Sequence, residues 1–195
     1  MSYLYNLLKQ FLALLLTTTD KYVGNFGVSI IIVTILIKIA LLPLTLKQDK
    51  SMKEMKKIQP ELEKLKEKYA NDKQMLNIKT MELYKEHKVN PLGGCLPLLL
   101  QLPILFALFG VLRSGIIPAD SSFLWLKLPE PDPFFVLPVL NGAVSFFQQK
   151  LMGSADSNPQ MKNMMYIFPI MMIMISYKMP SGLQLYWLTS SILAV

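Results

Sequence analysis

Cysteine and histidine are almost missing from this chain: Cys95 and His87 each occur once in 195 residues. A lone thiol forms no internal disulfide, and one thiol with one imidazole is too small a ligand set for a zinc site. Charge is scarce too. Charged residues make up 17% against 52% apolar, and the mean hydropathy of +0.38 is too high for an ordinary soluble domain. A soluble enzyme, a disordered tail and a secreted disulfide scaffold are all disfavoured. No Walker motif is present either, so nothing points to a nucleotide site. The reading is of a non-enzyme without cofactor or metal.

The charges that are present are segregated. Between Lys47 and Lys88 lie 12 lysines and 8 acidic residues, out of 20 basic and 13 acidic residues in all. The flanking sequence is left apolar enough for hydrocarbon. Gly27 to Leu46 is the clearest span, twenty residues with one charge, at Lys38. Its β-branched residues would favour a strand in water, but an isolated strand in lipid leaves its backbone unpaired, so a helix is predicted. Tyr3 to Leu16 is shorter and interrupted by Asn6, Lys9 and Gln10, which suits an interfacial helix better than a span or a signal peptide.

Beyond Leu46 the pattern changes. Met52, Met55, Ile58, Leu62, Leu65 and Tyr69 form a helical stripe, Asn71-Asp72 interrupts it, and Met75, Ile78, Met81 and Tyr84 form a second stripe. Two helices folding back as an antiparallel hairpin are predicted, with pairs such as Glu54/Lys57 and Lys57/Glu61 as helix-surface support. Further apolar segments follow. The fold class predicted is an all-α integral membrane protein with five transmembrane helices. Its parts are an interfacial amphipathic helix over 1–22, a first span over 23–46, the hairpin over 47–90 and a second span over 91–113. An outer loop over 114–133 carries Trp125, and then come a third span over 134–150, an inner loop over 151–162, a fourth span over 163–178 and a fifth over 179–195. The lysine-rich hairpin, with Lys150 and Lys162, places these connections in the cytoplasm by the positive-inside rule.

Lys38 is the sharpest functional signal. It lies eight residues from Leu46, about 12 Å along a helix, farther than a lysine stem of roughly 6 Å reaches by snorkelling. A charge there costs about 2.5–3.5 kcal/mol on insertion scales, so a water-filled cavity is expected around it. Polar residues available to line one are Thr34, on the same helical face, Gln101, Asn141, Ser145, Gln148, Gln149, Gln184, Thr189 and Ser190. No acidic residue lies within a span, which argues against a proton relay and leaves the lysine charge for an acidic visitor. Late-clustered methionines, from Met161 to Met179, fit helix packing and adaptable apolar contact. His87 reads as a solvated helix-end residue, and Cys95 as a small residue allowing close helix approach.

Several runs then carry a resemblance. GNFGVSIIIVTILIKIALLPLT, QPELEKLKEKY, VNPLGGCLPLLLQLPILFAL, DPFFVLPVLNG with FFQQK, NPQMKNMMYIFPIMM and PSGLQLYW together look like the YidC family of membrane protein insertases, related to the mitochondrial oxidase-assembly and chloroplast Albino insertases. The likeness extends from about residue 3 to the C-terminus. It implies a five-helix core whose hydrophilic groove opens to cytoplasm and lipid and is closed on the outer side. It further implies insertion of nascent membrane proteins into a bacterial inner membrane, alone or beside the SecYEG translocon, with ribosome and targeting-receptor contacts through the hairpin. Candidate groove residues are Lys38, Thr34, Gln101, Asn141, Ser145, Gln148, Gln184 and Trp187, and candidate partner contacts are Lys56, Lys57, Lys64 and Lys68.

Lys38 departs from the arginine usual in the family, keeping the charge without the planar fork. Both ends also depart: no signal segment precedes Tyr3 and no basic tail follows the last span, so the chain reads as the core of a longer protein. The rival reading from another class is a small anion transporter or channel using Lys38. The hairpin's interleaved acids disfavour recognition of a specific nucleic-acid sequence.

Overall fold

A computed structural model of the chain describes residues 2–87, 89, 96–151 and 159–194. Cys95 lies outside the described residues. In chain order the elements are α1 (Ser2–Val23), α2 (Phe26–Lys57), α3 (Gln59–Lys68), α4 (Lys73–Glu86), α5 (Leu96–Arg113), β1 (Ser122–Phe123), β2 (Leu126–Lys127), α6 (Val136–Leu151), α7 (Pro159–Ser176) and α8 (Ser181–Ile192). Among the described residues only α2 is long and apolar enough to cross a membrane by length and composition.

α2 begins at a side-chain cap. The Asn25 carboxamide oxygen accepts from Gly27 N at 2.9 Å and Val28 N at 3.2 Å, and satisfies two of the N–H groups that a helix start leaves unpaired. The helix then runs 32 residues, through Pro43 and past Leu46 to Lys57, so span and first hairpin segment are one rod. α1 likewise passes through its threonine run. The hydroxyls of Thr17 and Thr19 donate to the carbonyls of Ala13 and Leu15 one turn back, at 2.9 and 2.7 Å. α1 packs on α2 and α5, burying Leu12 and Leu16 while Tyr3, Leu4, Leu7 and Leu14 stay exposed. This outward face suits lipid rather than water.

The main core joins α1, α2, α5 and α8 through Leu12, Leu16, Ile30, Val33, Leu108, Val111 and Leu183. α6 packs against α7 and α8. A separate small core of Ile58, Leu62, Leu83 and Val89 holds α3 and α4 together. Here the phase of the second helix differs from the sequence stripe: Met75, Ile78 and Met81 are exposed, and Leu83 points inward. α4 has apolar residues on both faces, and α3 takes the one containing Leu83. His87 meets Glu61 at 3.3 Å across the pair. Lys79 donates to Glu82 at 2.6 Å, a bond that raises the lysine ammonium above its usual range.

The end away from the hairpin is tied by the connection between α5 and α6. β1 and β2 pair antiparallel, Ser122 opposite Lys127 and Phe123 opposite Leu126, around a turn that puts Leu124 at φ 56. The sequence reading has an interfacial loop here and no strands. The Phe123 ring occupies the space a Cβ at position 27 would need, so Gly27 permits the loop to lie on α2. On the other side, Leu128 O accepts from Gly182 N at 2.9 Å, and Glu130 O accepts from Ser181 N at 2.7 Å. The first N–H groups of α8 are thereby paired. Asp132 is buried and accepts from Trp125 Nε1, Phe134 N and Leu137 N at 3.1, 3.1 and 2.7 Å.

Candidate functional site

A helix repeats its face every three or four residues, and on α2 one face reads Thr34, Lys38, Leu41, Thr45, Gln48 and Asp49. These residues line one wall of a cavity completed by Leu100, Gln101 and Ile104 of α5, and by Tyr186 and Ala194 at the α8 side. The enclosed volume is about 80 Å³. From Thr34 to Asp49 the wall spans about 22 Å at 1.5 Å per residue. Thr34 stands at the deep end, buried, with its hydroxyl donating to Ile30 O at 2.6 Å. Below it Leu12, Leu16, Ile30, Val33 and Leu108 close around a remnant space of about 10 Å³. The polar cavity therefore has an apolar floor and rises along α2 toward the hairpin.

Lys38 is half-buried in this wall, and no carboxylate lies within salt-bridge distance of it among the described residues. Gln101 faces it from α5, donating to Tyr186 Oη at 2.7 Å and to Ser190 Oγ at 3.4 Å. Gln48 is only 4% exposed, and its amide nitrogen has no acceptor among the described residues. An amide held out of water without its hydrogen bond costs about 1–3 kcal/mol. An arrangement of that kind fits a site completed by a visiting acceptor or by water.

Lys38, Thr34 and Gln101 thus come together. The other candidates lie elsewhere. Asn141 Nδ2 donates to Gln184 O at 3.3 Å, Gln148 Nε2 to Ser191 O at 2.7 Å, and Gln184 Nε2 to Met179 O at 2.8 Å. Ser145 is buried on the same helix as Asn141. Asn141 and Gln148 join α6 to α8, Gln184 bonds back to the turn that precedes α8, and none of these groups lines the cavity. The oxygens of Asn141 and Gln184 remain buried there without a donor among the described residues. Trp187 is half-buried on α8 and outside the cavity lining, whereas its neighbour Tyr186 is inside it.

The hairpin candidates separate as well. Lys57, Lys64 and Lys68 are exposed, and Lys68 sits 5.5 Å from the Tyr69 ring centre. Lys56 donates to Leu151 O at 2.9 Å, linking the end of α2 to the end of α6. Tyr186, Thr45, Gln48 and Asp49 are the polar cavity residues that sequence reasoning missed. For the last three the signal was present, since Thr45 continues the Thr34–Lys38 spacing within the span and Gln48 and Asp49 carry it past Leu46.

A family profile described as 60Kd inner membrane protein matches residues 18–195. The chain is 87% identical over 195 residues to the membrane protein insertase YidC of Fusobacterium nucleatum, covering all of this chain and 95% of that protein. It is 44% identical over 188 residues to the membrane protein insertase MisCA of Bacillus subtilis, covering 93% of this chain and 72% of that one. Against YidC of Anaeromyxobacter dehalogenans it is 45% identical over 177 residues, 90% of this chain but only 32% of that longer protein. A solved structure described as an active YidC insertase with its first transmembrane domain resolved superposes with a TM-score of 0.77 at 28% identity. That match covers 96% of this chain and 44% of the other.

Proposed function

This chain belongs to the YidC family of membrane protein insertases, and we propose that it works by taking the hydrophilic segment of a nascent membrane protein into the cavity beside Lys38. It is an inner-membrane insertase and not an enzyme. The reading of its architecture is that α2, α5, α6, α7 and α8 are the five spans, with α3 and α4 a cytoplasmic hairpin. The hairpin contacts the ribosome, the targeting receptor and the SecYEG translocon, with Lys57, Lys64 and Lys68 on its exposed surface.

The observation that carries the mechanism is an unpaired cation, a buried unpaired amide and a Gln–Tyr pair around one cavity with an apolar floor. A polar tail crossing hydrocarbon loses water from each charge and peptide group. In the cavity, Lys38 attracts an acidic side chain, and the Gln48 amide offers N–H donors to a backbone carbonyl. The tail is thereby kept partly solvated over part of its path. The substrate's own apolar helix moves in lipid alongside exposed residues such as Ile167, Ile170 and Met174, and its burial supplies the driving force. Nothing in this scheme consumes a nucleotide.

Reconstitution tests it. Liposomes containing the full chain receive a single-span substrate with an acidic tail, and protease protection of the tail is scored. Protection that depends on the chain and falls with Lys38→Glu supports the cavity route. Equal protection with Lys38→Glu at matched protein levels counts against it, and anion flux without any insertion favours the transporter reading.

A further inference from the structure

We infer that the cleft between the far ends of α5 and α7 binds an anionic phospholipid, its phosphodiester held between Arg113 and Lys178. The cleft encloses about 470 Å³, walled by Phe106 and Phe109 of α5, Ile175 of α7 and Leu183 of α8, with both cations in its lining. It is on the opposite side of the fold from the hairpin and separate from the Lys38 cavity. Its walls are apolar, and Phe106 is 57% exposed, so an acyl chain meets hydrocarbon-like surface rather than hydrogen-bonding groups.

The level of the cleft fits a headgroup. Tyr22, Trp125, Phe134 and Tyr177 are all exposed at this end of the fold, and tyrosine and tryptophan gather where bilayer meets water. The carboxylates nearby in sequence are already engaged: Glu130 accepts from Lys127 at 3.4 Å, and Asp132 is occupied by its three N–H donors. Asp120 does not line the cleft. Neither Arg113 nor Lys178 has an ion-pair partner among the described residues. The Arg113 guanidinium carbon sits 4.4 Å from the Phe109 ring centre, a contact that orients the planar fork without using its N–H donors. Such a fork, with a lysine beside it, matches phosphate oxygens. A zwitterionic lipid brings an ammonium toward two cations and is less favoured. Free phosphate leaves the apolar walls without an occupant, and so does an acidic peptide.

The test uses the purified full chain in detergent, with phosphatidylglycerol and phosphatidylcholine of matched chains added in equal amounts, and bound lipid counted by native mass spectrometry. The wild type retains phosphatidylglycerol in preference, and excess inorganic phosphate does not displace it. Each cation at a membrane surface contributes about a fivefold preference, so Arg113→Gln with Lys178→Gln lowers the selectivity about 25-fold. Lys21→Gln, at the end of α1 on the same side but outside the cleft, leaves it unchanged. Because Arg113 and Lys178 are exposed, an unchanged melting temperature in the double variant certifies its fold, and Arg113→Lys retains most of the selectivity. Equal retention of the two lipids by the wild type, unchanged selectivity in the double variant, or displacement by inorganic phosphate would overturn the assignment. Capture of an inserting substrate by a photocrosslinker at Phe106, without lipid selectivity, would overturn it in favour of a polypeptide site.

Discussion

Gln101 on α5 donates to the phenol oxygen of Tyr186 on α8 at 2.7 Å, closing the cavity wall that faces Lys38. Two helices far apart in sequence are joined there by this short neutral hydrogen bond and the longer one from Gln101 to Ser190. Tyr186→Phe removes the acceptor and leaves the Gln101 amide with only the longer contact to Ser190. A loss of about 1 kcal/mol is expected, measured by thermal or denaturant unfolding in detergent. Adding Gln101→Leu removes the stranded amide, and the double variant recovers part of that loss. A double variant whose losses simply add would show that the pair is not coupled.

Lys38→Arg keeps insertion of substrates with acidic tails, because charge is retained. Lys38→Glu reverses the sign and lowers insertion of the same substrates by about tenfold or more, the order expected for a reversed charge pair partly shielded from water. Substrates with neutral tails respond less. Protease protection across a series of tail charges measures the slope.

Gln48→Leu separates binding from stability. The amide nitrogen has no partner among the described residues, so its removal leaves stability unchanged or raises it by about 1 kcal/mol. Insertion of polar tails falls at the same time. A variant that loses both stability and insertion would mean that the amide serves the fold.

Asp132→Ala strips three donors of their acceptor at the start of α6. The expected cost is about 2–4 kcal/mol, and limited proteolysis should show earlier cleavage in the 114–133 connection. Asp132→Asn keeps one oxygen acceptor and loses less.

How far the sequence could be read depended on whether a feature is local. The α2 helix, its unpaired lysine and the Thr34–Lys38 face follow from composition and helical spacing, and the family resemblance was legible in whole runs. What failed was decided by partners. α4 carries apolar residues on two faces, and only packing on α3 selects Leu83 over Met75, Ile78 and Met81. The polar stripe of Asn141, Ser145 and Gln148 does lie on one helical face, yet α8 receives it as an interhelical seam away from the cavity. Tyr186 faces the cavity and Trp187 does not, a difference of about 100° around one helix that the sequence pattern alone does not resolve. Gln48 and Asp49, at the hairpin end of the cavity, were missed for a simpler reason: the span was ended at its last apolar residue, while the helix continues.

The apolar floor beneath Thr34 bears on bioenergetics. Leu12, Leu16, Ile30, Val33 and Leu108 close the deep end of the cavity, so an ion entering beside Lys38 meets hydrocarbon instead of a second opening. Under the proposed topology, water reaches into the bilayer from one side only. A cell can then keep many copies of this protein in the membrane that stores its proton gradient without short-circuiting it.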